Sequence, residues 1–89
     1  KIHNKIITKI TKFVPHLGIK YDELAAKIDL DKSLEYDENN SKALSKRGFV
    51  KYKLNDYIGA VDDFNKAIEL LPRDQTNYNQ RGLAKEQLN

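Results

Sequence analysis

The sequence has no cysteine, no methionine and no tryptophan, and it holds two prolines and four glycines in 89 residues. Without cysteine no disulfide framework exists, and the redox compartment is left open. The two histidines, His3 and His16, stand apart, with no carboxylate or cysteine spaced to share a metal with them. They read as surface residues. No glycine-rich phosphate loop and no nucleophile motif occurs. The acidic pairs Asp22-Glu23 and Asp62-Asp63 read as solvated helix faces or charge partners rather than an acid–base dyad. Catalytic residues, a cofactor and a metal site are therefore all expected to be absent, and the chain is expected to be non-enzymatic. No apolar run approaches the roughly 18 residues that a membrane span needs, and no signal-peptide pattern is visible. The expected location is cytoplasmic. A net charge of +3 is too small to announce nucleic acid. Asn39-Asn40-Ser41 fits a glycosylation sequon, but without a secretory signal it reads as a turn and cap.

What the sequence does have is a repeat. Leu44 to Asn55 returns 34 residues later as Tyr78 to Asn89, with Arg, Gly, Lys, Leu and Asn coinciding. Upstream, Ala26 to Glu35 prefigures Ala60 to Glu69 at the same offset. Self-similarity at a fixed period of this size marks a solenoid, in which each unit buries its apolar face by stacking on its neighbours.

Periodicity fills the unit with helices. Ile2, Ile6, Ile7, Ile10, Phe13 and Val14 predict a helix over 2–14 that stops before Pro15, because the residue preceding a proline is pushed out of the α region. A turn is expected over 16–19, with Gly18 free to take positive φ. A second helix is predicted over about 21–37, its apolar series of Leu24, Ala25, Ile28, Leu30, Leu34 and Tyr36 wide enough to touch neighbours on both sides. Asn40 or Ser41 caps a third, over 42–54, and Asp56 caps a fourth, over 57–71, closed by Pro72. A fifth is predicted over 75–88.

The residues of the central unit resemble the tetratricopeptide repeat. Leu44-x2-Arg47-Gly48-x2-Lys51 is followed by Tyr57, Ala60-x3-Phe64, Ala67 and Pro72. Leu44 stands in the usual tryptophan position, and Arg47 and Lys51 depart from the pattern, which has leucine and tyrosine there. The resemblance covers roughly residues 21–89. It implies an all-α solenoid of antiparallel helix hairpins, about two and a half repeats long, in which small Gly48 and Ala60 let two helix axes approach. Residues 1–40 would form a degenerate first repeat or cap, 41–74 a complete repeat, and 75–89 the first helix of another. A chain that stops halfway through a repeat is expected to be a piece of a longer solenoid.

Charge alternates along the helices. Residues 1–20 hold five lysines and no acid; 21–41 hold two basic and seven acidic residues. Residues 42–55 hold five basic residues and no acid; 56–74 hold two basic and five acidic. The first helix of each pair lines the concave face of a tetratricopeptide-like solenoid, so the resemblance implies a positive groove and a negative back.

Lys42, Lys46, Phe49 and Lys53 are spaced 4, 3 and 4, and so share one face of the third helix. Together with Tyr52, and with Asn79 and Leu83 of the fifth helix, they are the candidate partner-binding residues. The partner they suit is an acidic, apolar peptide segment of another protein. Gly48, Ala60, Phe64, Ala67 and Pro72 are candidate structural residues. So are Asp29 and Asp63, and Arg47 and Arg81, two pairs at the 34-residue offset. They predict a ladder in which Asp29 meets Arg47 and Asp63 meets Arg81, since an unpaired charge at a semi-buried seam costs several kcal/mol. Co-chaperone tetratricopeptide domains hold a terminal carboxylate with Lys, Arg and Asn from three inner helices. Lys42 and Lys46 could stand for two of these, but Lys12 falls where the asparagine would be wanted, so a chaperone-tail receptor is not expected. The alternatives to a peptide-binding scaffold are an RNA-binding helical repeat and a purely structural spacer. Against RNA, the positions that would read bases do not repeat: Lys42 becomes Thr76 and Ser45 becomes Asn79. Self-association through the open repeat end is a further expectation, because Tyr78, Gly82 and Leu88 lack a covering helix.

Overall fold

The structure, a computed structural model, describes the backbone of residues 15–89 and the side chains of residues 21–89. Four helices follow one another: α1 (Pro15–Tyr36), α2 (Ser41–Lys53), α3 (Tyr57–Leu70) and α4 (Gln75–Leu88). No strand occurs among the described residues. The helix predicted over 2–14 lies outside them.

Short polar caps set the boundaries of the last three helices. The Asn40 side chain accepts a hydrogen bond from the Ala43 amide at 3.0 Å and opens α2. At the other end Asn55 takes φ 68°, a left-handed conformation that asparagine tolerates better than most residues. The Asp56 amide then donates to the Lys51 carbonyl at 2.8 Å and the Asn55 amide to Tyr52 at 3.0 Å. This is the Schellman pattern, which satisfies the last carbonyls of a helix. Asp56 caps α3 through the Gly59 amide at 3.0 Å, and a Cβ at Gly59 would collide with that carboxylate. Asp74 caps α4 through Thr76.

The start of α1 departs from expectation. The turn predicted over 16–19 is helical, and Gly18 has no positive φ. The proline rule acts on the residue before Pro15 and leaves Pro15 itself fit for a first helical turn. Leu30 and Leu34 join the core, while Leu24, Ile28 and Tyr36 are exposed.

Two clusters hold the helices together. Leu34, Ala43, Leu44 and Ala67, with Leu30 and Leu70 against them, join α1, α2 and α3. Ala60, Phe64 and Ala84, with Tyr52 and Val61, join α3 to α4. Phe64 is 0% exposed. The ring of Phe64 lies against Gly48. A Cβ there would lie 2.8 Å from a Phe64 ring carbon, so the ring occupies the space that a side chain would need.

Candidate functional site

The backbone of α2 brings Lys42, Lys46, Phe49 and Lys53 to one exposed face. Phe49 is 40% exposed, and the Lys53 ammonium lies 5.0 Å from its ring centre, a cation–π contact. Lys53 is also 3.7 Å from Glu23 of α1. Among the described residues no carboxylate pairs with Lys42 or Lys46. On α4, Leu83 is 50% exposed and Asn79 is exposed as well. Tyr52 is placed differently from the other candidates. It is half-buried against the Ala60–Phe64–Ala84 cluster and meets the Tyr57 ring edge-on at 5.6 Å.

A cleft of about 290 Å³ opens beside the start of α2, lined by Ser41, Lys42, Ser45, Lys46, Leu71 and Asp74. It adds two hydroxyls to the two lysines. The Ser45 hydroxyl hydrogen-bonds Asn77 Oδ1 at 2.6 Å, tying α2 to α4. Asn77 is almost wholly buried, and its Nδ2 has no hydrogen-bond partner among the described residues. Sequence reasoning missed Ser41, Ser45, Leu71, Asp74 and Asn77. The one signal available was that Asn77 stands 34 residues after Ala43, a polar residue at a buried repeat position.

The charge ladder has other members than the predicted ones. Arg47 donates to both carboxylate oxygens of Asp63, at 2.8 Å each, and to Asp31 Oδ1 at 2.9 Å. Lys51 approaches the same Asp63 carboxylate at 3.2 Å. Arg81 donates to Asn65 Oδ1 at 2.7 Å and makes no ion pair with Asp63, and Asp29 is exposed. The predicted Asp29–Arg47 and Asp63–Arg81 pairs therefore do not form. Asp63 is turned inward to Arg47 and Lys51 of its own hairpin. Asp31, two residues beyond Asp29 on α1, has the side that faces α2. The rung recurs all the same, because Asn65 and Arg81 stand 34 residues after Asp31 and Arg47.

Electrostatics follow from this geometry. The hydrogen bond from Arg47 to Asp63 outweighs the opposing effect of burial and, with Asp31, raises the guanidinium pKa above its ordinary value. Burial pushes the Asp31 carboxyl up, but hydrogen bonds from Lys27 and Arg47 and their charges more than offset it, so the net shift is downward. Arg47 and Lys51 are thereby held by Asp63, while Lys42 and Lys46 are exposed and pair with no carboxylate among the described residues. On the side of the α1–α3 seam a second cleft, of about 370 Å³, is lined by Asp31, Glu35, Glu38 and Asp62 together with Arg47 and Lys66. No group of three or more potential metal ligands occurs among the described residues, and none of their helices is long and apolar enough to cross a membrane.

A family model described as tetratricopeptide repeat matches residues 41–74. FK506-binding protein 59 of Drosophila melanogaster is 36% identical over 93 residues, a match that takes in 98% of this chain. The chain spans 21% of the length of that relative.

Proposed function

Residues 41–74 belong to the tetratricopeptide repeat family, whose repeats generally mediate protein–protein interaction and are generally non-catalytic, and from this we propose that the chain is a scaffold binding a peptide segment of another protein on the basic face of α2 and α4. The bound segment is acidic and apolar. Its carboxylates meet Lys42 and Lys46 at the serine-lined cleft, and an apolar side chain rests on Phe49 and Leu83. The observation that supports this reading is the division of the basic residues of α2. Arg47 and Lys51 are taken up by Asp63, whereas Lys42 and Lys46 line an open cleft without a paired carboxylate among the described residues. The intracellular setting that such a scaffold suits, the cytoplasm, is part of the proposal.

Fluorescence anisotropy tests it with a labelled peptide that alternates Glu and Leu at three- and four-residue spacing. Lys46→Glu and Phe49→Ala should each weaken binding by about tenfold. A single-stranded RNA oligomer is the competitor. Tighter binding of that oligomer, with a steep fall in affinity as salt is raised, would overturn the peptide reading.

A further inference from the structure

Helices α1 and α3 each pack on α2 and, among the described residues, not on each other. A groove is left between them. Arg47 meets Asp31 and Lys53 meets Glu23, so α1 runs antiparallel to α2. Arg47 also meets Asp63, and Tyr52 packs in the cluster of Ala60, so α3 does the same. Thus α1 and α3 run in one direction, with Asp31 and Asp63 level across the groove. Beyond that level lies the cleft lined by Glu35, Glu38, Asp62 and Lys66. Before it the groove turns apolar. Leu24, Ile28, Asp31 and Glu35 are spaced 4, 3 and 4 along one face of α1, and Ile58, Asp62 and Lys66 are spaced 4 and 4 on α3. Leu24 is 47% exposed, Ile28 48% and Ile58 67%.

Single apolar residues on a surface are ordinary. Here Leu24 and Ile58 stand at one repeat position, 34 residues apart, and Ile28 lies one turn beyond Leu24. The charges beside them are uneven in their pairing. Asp31 and Asp63 are taken up by Lys27, Arg47 and Lys51, whereas Glu35, Glu38 and Asp62 have no ion pair among the described residues. We propose that the α1–α3 groove docks a basic amphipathic helix of a partner polypeptide. Its apolar side chains, one turn apart, settle among Leu24, Ile28 and Ile58. Lysines or arginines on the turns beyond reach Glu35, Glu38 and Asp62. Successive residues of α2 turn about 100°, so Lys42, Lys46 and Phe49 lie on the side away from Arg47 and this groove. The two surfaces are therefore separate, and charge keeps their ligands apart: the carboxylates of the groove repel the acidic segment that suits the lysines.

The probe is a labelled synthetic helix with leucines one turn apart followed by lysines one turn apart. It is titrated in low salt into the 89-residue chain and followed by fluorescence anisotropy. Saturable binding is expected, weakened about tenfold by Ile58→Asp and by Glu35→Lys combined with Asp62→Lys. Glutamates in place of the peptide's lysines should restore binding to the doubly reversed chain, which a misfolded variant could not show. Lys46→Glu should leave the basic peptide bound while weakening the acidic one, so each surface stands or falls by itself. Equal binding of a peptide with serines for its leucines would reduce the contact to unspecific charge attraction and overturn the assignment. Absence of saturation at millimolar peptide would overturn it as well. So would sedimentation as a dimer that Ile58→Asp dissociates, which would give the groove to a second copy of the chain.

Discussion

Gly48 and Gly82 hold equivalent places in successive helices, yet the same substitution should act on them with opposite sign. Gly82→Ala gains about 1 kcal/mol of helix propensity and meets no obstacle, so it should raise the denaturation midpoint. Gly48→Ala gains the same propensity but puts a methyl 2.8 Å from the Phe64 ring. Overpacking of this kind costs about 1–3 kcal/mol, and the midpoint should fall. Phe64→Ala should cost about 3–5 kcal/mol, since a ring with no exposure leaves a cavity behind it. Asp63→Ala should cost a similar amount by a different route, because it leaves Arg47 and Lys51 without their shared acceptor in a largely buried place. Chemical denaturation of the four variants checks all of these. Equal signs for the two glycine variants would contradict the role given to the Phe64 ring.

Among the helices, the acid behaviour of the α1–α2 junction follows from Asp31. Its carboxyl is held below the ordinary 3.8, so the stability it contributes is present above that value and is lost as pH falls through the lower folded-state value. Thermal melts between pH 5 and 2 should show a loss that Asp31→Asn removes, while leaving the variant less stable at pH 7. How far the elements could be read from sequence varied with the kind of signal. The ends of α2, α3 and α4 were legible within a residue or so, with Asn40, Asp56 and Pro72 acting through local hydrogen bonds or a missing one. The start of α1 was not legible, because Pro15 and Gly18 signal a turn in sequence while a proline equally suits a first helical turn. The ladder was legible as a type but not in its members. A 34-residue offset matches Asp29 to Asp63, but successive residues point about 100° apart around a helix, and only packing shows that Asp31 faces Arg47. The basic face was legible from spacing alone. The cleft beside it was not, because Leu71 and Asp74 join Ser41 and Ser45 only when the turn after α3 folds against α2.

For the molecule as a whole, charge that nearly cancels in total is separated in space. Asp63 neutralises the inward cations of α2, and Asp31, Glu35, Glu38 and Asp62 collect at the α1–α3 seam, so Lys42 and Lys46 set the character of the opposite face. The repeat at residues 41–74 carries both lysines, and the lysine-and-phenylalanine face is where the proposal places an acidic partner. Chemical-shift mapping of the isotope-labelled chain, titrated with the Glu–Leu peptide in low salt, is the most direct test. The largest shifts are expected on Lys42, Ser45, Lys46, Phe49 and Leu83 and should shrink as salt is raised. Shifts confined to Glu35, Glu38, Asp62 and their neighbours would contradict it.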